Sequence, residues 1–176
     1  KINTPEYLRL FKNAFPDEKQ SFNYKNIGHA IAAFEKTLIT PSRFDDYLAG
    51  DIKALTTKER RGLQKFVQVG CTACHSGIGL GGASYQKLGL VKPYETKDMG
   101  RFEVTGKKRD KKKFKVPLLR NITKTGPYLH DGSISSLEDT IEIMAEYQLG
   151  KELSKSDVDD MIAFLATLEA KNLYRQ

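Results

Sequence analysis

The chain reads as an all-α fold with long glycine-rich loops, and three observations carry that reading. Apolar residues recur at spacings of three and four in separate stretches near both ends, each opened by a capping residue and closed by Gly or Pro. No segment alternates convincingly as a strand. Between the periodic stretches, residues 76 to 127 hold Gly77, Gly79, Gly81, Gly82, Gly89, Gly100 and Gly106, with Pro93, Pro117 and Pro127, which interrupt any long period and leave mostly loop.

In chain order, Thr4 caps a short helix with Pro5 in its first turn, carrying Tyr7, Leu8 and Phe11 and stopping before Pro16. From Asn23, residues Tyr24, Ile27, Ile31, Phe34 and Leu38 form the stripe of an amphipathic helix that ends ahead of Pro41. Thr56-Thr57-Lys58-Glu59 has the form of a capping box, with Leu63, Phe66 and Val67 as the buried stripe up to Gly70. Ser135-Ser136-Leu137-Glu138 is a second box, with Leu137, Ile141 and Met144 in register and Gly150 as the stop. Ser154 or Ser156 caps the last helix, whose stripe is Val158, Met161, Ile162, Leu165 and Leu168.

At 176 residues the chain is long enough to bury a core of its own. Its 39% hydrophobic and 29% charged residues are a soluble balance, and no apolar run approaches the roughly 20 residues of a membrane span. The opening Lys1-Ile2-Asn3-Thr4-Pro5 lacks a basic and apolar leader, so any export signal is expected upstream or already removed. The net charge of +7 is concentrated in Lys107, Lys108, Arg109, Lys111, Lys112, Lys113 and Lys115. A nucleic-acid site would interleave aromatics there, and only Phe114 does, so a solvated loop is the expectation and nucleic acid is not.

The chemistry lies in Cys71-Thr72-Ala73-Cys74-His75, delivered by the helix that ends at Gly70. Two thiols at this spacing add across the two vinyl groups of a porphyrin while the next imidazole reaches the iron, so the run points to one covalent c-type haem held by Cys71 and Cys74 with His75 as axial ligand. A structural zinc site needs about four ligands, yet the other histidines, His29 and His130, are far apart in sequence. A redox dithiol expects a strand-to-helix junction, whereas this run follows a helix and precedes glycine-rich chain.

Candidates for the iron's other face are Met99, Met144, Met161, His29, His130 and the lysines. Met161 sits on a core stripe, Met99 in a polar loop, and His29 off the apolar face of its helix. Met144 lies on the helix after Gly126-Pro127-Tyr128-Leu129-His130-Asp131-Gly132, in the half that must fold back over the haem, and stays open as a candidate.

These residues resemble the C-terminal, electron-transfer half of the bacterial dihaem cytochrome c peroxidase family. The resemblance rests on Cys71-Thr72-Ala73-Cys74-His75-Ser76-Gly77 with Gly81-Gly82, then Val116-Pro117-Leu118-Leu119-Arg120-Asn121-Ile122, then Gly126-Pro127-Tyr128-Leu129-His130-Asp131-Gly132-Ser133, and it covers essentially the whole chain. It implies a cytochrome c-like helical domain, with Met144 as the second axial ligand beside His75. A relative that matures a quinone cofactor carries tyrosine at that methionine's position, so Met144 argues against that activity. His130 is expected to support the haem pocket by hydrogen bonding. Arg120 is expected either to pair a haem propionate or to be a surface arginine. Thr125 and Pro127 match the backbone carbonyls of a calcium site shared with a first-lobe asparagine.

Only one Cys-x-x-Cys-His run is present where the family has two, so the catalytic site proper is expected outside this chain. By the family layout, residues 1–40 belong to the missing peroxidatic-haem lobe and residues 41–176 form the electron-transfer haem domain, as in a truncated product or fragment. The resemblance implies a closed haem that takes electrons from a small cytochrome c or cupredoxin and passes them to a second haem, where hydrogen peroxide is reduced to water. It also implies a periplasmic location and admits a homodimer. The rival reading is a free-standing monohaem electron carrier without catalytic activity.

Overall fold

The structure is a computed structural model that describes residues 2–171. Its contacts divide into two compact units, Lys1–Ile39 and Thr40–Gln176.

The first unit holds α1 (Pro5–Ala14) and α2 (Tyr24–Glu35). Both begin where the caps place them: Thr4 accepts from the Tyr7 amide at 3.4 Å and Asn23 from the Asn26 amide at 2.8 Å. Phe11 is its buried apolar residue, with Phe22 edge-on at 5.1 Å and Phe15 stacked at 5.9 Å. The expected stripe of α2 is not buried. Tyr24, Ile31 and Phe34 are exposed and Leu38 lies past the helix end, while the fully buried side chain on α2 is Asn26, which donates to the Ser21 carbonyl and to Glu18. The physical reason is size: a unit this short has too little chain to cover both helices.

The second unit is built on α4 (Thr57–Val69) and α7 (Lys155–Ala166). The two helices meet at Gly62, where a Cβ would lie 1.8 Å from the Asp160 carbonyl oxygen, so a side chain there would drive them apart. Phe66 of α4 then reaches Phe164 of α7 with ring centroids 5.4 Å apart. Leu55, Leu80, Leu119, Val158, Met161, Leu165 and Leu168 complete a core in which Met161 is fully packed. Arg61 grips Asp160 with two bonds of 2.7 and 3.1 Å, and Lys65 meets Asp157 at 3.0 Å along the rim of the crossing.

The caps of α4 and α7 follow the sequence reading: Thr56 and Glu59 form the box, Gly70 closes α4 in the left-handed region at φ 104°, and Ser154 caps α7. Val67 departs from it, being 52% exposed, because Gly62 and Phe66 face α7 instead. Residues 76–127 are also more ordered than loop. They contain a short helix α5 (Phe102–Thr105) and an antiparallel ribbon of β1 (Tyr85–Lys87) with β2 (Lys113–Lys115). Another helix without a sequence forecast, α3 (Arg43–Leu48), is opened by a Ser42/Asp45 capping box. The next helix, α6 (Leu137–Ile143), is capped by Ser136 accepting from Asp139, one residue later than the expected box, and Met144–Gln148 continues it as a single π turn.

Candidate haem-binding site

α4 ends at Gly70, and its left-handed conformation turns the chain directly into a 3-10 turn, Cys71–Ala73. The Cys71 carbonyl accepts from both the Cys74 amide (3.2 Å) and the His75 amide (2.9 Å), which gathers the two thiols and the imidazole on one tight turn. Cys71 packs against the core, and its burial pushes the thiol up to about 11. Among the described residues, no three His, Cys, Asp or Glu side chains converge as a metal site.

His75 is held from behind. Its Nδ1 lies 3.2 Å from the Leu80 carbonyl oxygen, and the Pro117 carbonyl also faces it. A carbonyl only accepts, so Nδ1 carries the proton and Nε2 keeps its lone pair free for a metal. Burial lowers the imidazole's pKa, with the two carbonyls opposing, and a neutral ring is the form that ligates iron. Gly81 makes this backing reachable: a Cβ there would lie 2.0 Å from the Pro117 oxygen and 3.4 Å from Nδ1.

His75 opens onto a cavity of about 410 Å³ whose apolar wall is Phe44, Leu48, Leu63, Phe66, Leu80 and Phe164. Ligand pockets run from about 300 to 1,000 Å³ and are mostly apolar. The Cys-x-x-Cys-His turn, the free Nε2 and the apolar wall fit a haem. Thr72, Ser76, Asp45 and Arg120 supply its polar edge.

Arg120 is not a surface arginine and lines the His75 cavity. Its side chain is 8% exposed, which removes the surface reading, and its fork closes on the chain's own Asp45 at 2.8 and 2.6 Å. Further bonds to the Ile78 and Thr40 carbonyls at 2.7 and 3.0 Å leave little donor capacity for an external propionate. Arg120 therefore ties α3 and residue 40 to the loop after the Cys-x-x-Cys-His run. The guanidinium holds the Asp45 carboxyl well below the usual carboxylate range.

His130 is not among the residues lining the His75 cavity. Its ring stacks on Phe114 at 3.9 Å, its Nε2 is 3.4 Å from Asp98, and it lines an open cleft of about 670 Å³ that shares no residue with the His75 cavity. Thr125 and Pro127 sit on an exposed turn. Two carbonyls fall short of the 6–8 oxygens calcium takes, so these residues alone do not make that site.

Met144, half-buried, starts the π turn and is not among the residues lining the His75 cavity. The turn exposes the Tyr147 carbonyl, which accepts from the Val91 and Lys92 amides at 3.0 and 3.1 Å. Gln148 bridges the same strap, accepting from the Leu90 amide at 2.9 Å and donating to the Lys87 carbonyl at 3.1 Å. Lys92 pairs with Glu146 and lies over the Tyr147 ring. Residues 87–92 thus brace the Met144 segment. Sequence reasoning missed the strap because its bonds are to backbone; Gln148, four residues past Met144, was the available signal.

The family described as di-haem cytochrome c peroxidase matches over residues 1–53. The cytochrome c551 peroxidase of Nitrosomonas europaea is 47% identical over 167 residues, covering 93% of this chain and 49% of that protein. The cytochrome c551 peroxidase of Pseudomonas aeruginosa is 44% identical over 173 residues, covering 95% of this chain and 50% of that protein. The chain spans about half the length of these relatives. Among solved structures, a MauG-like protein associated with microbial copper homeostasis superposes with a TM-score of 0.68 at 28% identity, over 96% of this chain and 59% of that one. The helix-dominated, cytochrome-like fold, the Cys-x-x-Cys-His turn and these relatives agree: the chain belongs to the dihaem cytochrome c peroxidase family.

Proposed function

We propose that residues 40–176 form the electron-transfer haem domain of a cytochrome c peroxidase. The observation that carries this is the backing of His75 by the Leu80 and Pro117 carbonyls, which presents a neutral imidazole beside an apolar cavity one turn from two half-buried thiols. Cys71 and Cys74 would hold the porphyrin through thioethers, and His75 and Met144 would be the residues that ligate its iron. A haem so held would supply one-electron chemistry at a comparatively high potential rather than react with peroxide. The protein's part is to fix the His75 tautomer, exclude water with Phe44, Phe66 and Phe164, and brace the Met144 segment through the 87–92 strap.

In this reading a small soluble cytochrome c or cupredoxin delivers electrons here, and hydrogen peroxide is reduced to water at a second haem on a preceding lobe, in the periplasm. Residues 1–39 belong with that lobe. The match of the family over residues 1–53 and the uncovered Tyr24, Ile31 and Phe34 of α2 support this assignment.

The test is intact mass and a haem count on the purified chain, with Met144→Ala beside it. One covalent haem is expected, together with a weak sulfur-to-iron absorption at the red end of the spectrum that Met144→Ala abolishes without loss of haem. Two haems, or none, would overturn the assignment, and an unchanged band would move the ligand to another residue.

A further inference from the structure

The ribbon of β1 and β2 has a chemically uniform face. Alternation along a strand and direct cross-strand pairing, Tyr85 with Lys115 and Lys87 with Lys113, put Tyr85, Lys87, Lys113 and Lys115 on one side. The other side carries Gln86 and Phe114, and Phe114 is the ring that stacks on His130. Arg101 joins the basic side, its guanidinium 4.4 Å above the Tyr85 ring.

Two lysines directly opposite one another repel, so the Lys87–Lys113 pair costs stability that folding alone gives no reason to spend. The local compensation is slight. Asp110 lies 3.7 Å from Arg101 and 3.8 Å from Lys113, and among the described residues no carboxylate comes within salt-bridge distance of Lys87 or Lys115. The exposed Lys107, Lys108 and Arg109 continue the charge on the 3-10 turn that precedes β2. A merely solvated loop would scatter these side chains; here an ordered ribbon holds them on one face around a stacked tyrosine.

The ribbon is joined to the candidate site. Val116, which follows β2, donates to the Ser84 carbonyl and accepts from the Gly82 amide, and the next carbonyl, that of Pro117, faces His75. Lys115 is two residues from Pro117, at most about 7 Å of extended chain.

We propose that this face, centred on Tyr85, Lys87, Arg101, Lys113 and Lys115, is the docking surface for an electron-donor protein whose own contact surface is acidic. The inference rests on the electron-transfer reading above and adds to it the location and sign of the contact. Clustered cations that face few anions attract a carboxylate-rich partner, raise its encounter rate and orient it, with an effect that salt weakens. Tyr85, 44% exposed, gives the patch an aromatic centre suited to an interface.

The test measures reduction of the ferric haem in the haem-loaded chain by stopped flow. The two probe carriers are a reduced cupredoxin of net negative charge and a basic mitochondrial-type cytochrome c. Two charge-matched triple variants are compared with the parent: Lys87→Glu, Lys113→Glu, Lys115→Glu on the ribbon, and Lys53→Glu, Lys58→Glu, Lys151→Glu at exposed positions elsewhere. The expected result is a loss of about tenfold or more in the second-order rate with the acidic carrier for the ribbon variant alone, with a flattened salt dependence and no loss with the basic carrier. Equal losses in both variants would reduce the effect to net charge and overturn the proposal, as would no loss in either. Retention of a short DNA duplex at physiological salt that the ribbon variant abolishes, with carrier rates unchanged, would reassign the face to nucleic acid. A chain without haem fails the electron-transfer reading itself, and this proposal with it. A haem that dithionite reduces normally while the ribbon variant behaves as the parent fails the docking surface alone.

Discussion

Gly81→Ala tests whether the backing of His75 needs a residue without a side chain. A Cβ at Gly81 would lie 2.0 Å from the Pro117 oxygen, about 1 Å inside the 3.0 Å below which real Cβ contacts essentially do not occur, and the obstacle is backbone on both sides. Relief requires residues 80–82 and 116–118 to separate. That movement strains the bonds from Gly82 to the Val116 carbonyl (2.9 Å) and from Leu119 to the Gly79 carbonyl (3.1 Å). Two such bonds contribute about 0.5–1.5 kcal/mol each. The positive φ of 135° adds about 1–3 kcal/mol for any residue with a side chain. The sum is about 2–6 kcal/mol, a large share of the roughly 5–15 kcal/mol that holds a domain together. Gly77→Ala is the internal control. It lies in the same loop, also at positive φ (75°), but a Cβ there meets nothing within 4 Å, so only the backbone cost of about 1–3 kcal/mol applies. Guanidinium unfolding of the two haem-loaded variants, followed by circular dichroism, should place Gly81→Ala below Gly77→Ala by about 1–3 kcal/mol. Equal midpoints with equal slopes would show that the close carbonyl approach is not a constraint, and the account of how His75 is held would fall with it.

Two other contacts give sharp expectations. Arg120 depresses the Asp45 pKa, so the folded chain keeps this carboxylate ionised at pH values where the unfolded chain has already bound the proton. Stability from the pair is therefore full above the unfolded value of about 3.9 and drains away as pH falls below it. Asp45→Asn should lower the unfolding midpoint at pH 7 and flatten its decline below about pH 4; parallel acid profiles for parent and variant would remove the coupling. Gln148→Ala removes both side-chain bonds to the 87–90 segment and should speed amide exchange at Leu90 about tenfold. Unchanged exchange there would mean that the Tyr147 carbonyl alone holds the strap.

What the sequence made legible was what is decided within one turn of chain. Thr4, Thr56 and Ser154 were found because a cap bonds an amide three residues on, and the Cys71–His75 run because its chemistry is complete in five positions. The α4 face was misread at Val67 because an apolar stripe cannot announce that a glycine is the contact, and Gly62 lets α7 approach as no side chain would. The ribbon escaped because its strands are three residues long and put lysine at alternate positions, where β patterning expects apolar residues.

Arg120 shows the limit most clearly. Its partner Asp45 is 75 residues away on a helix that was itself unforeseen, so the sequence left a choice between a solvated arginine and one reserved for a haem carboxylate. The fold supplies an internal carboxylate at that place. An arginine already neutralised by its own chain fixes the wall of the cavity without any outside partner. Without Asp45 the guanidinium would stand as an unpaired charge beside the apolar wall of Phe44 and Phe164, a costly arrangement.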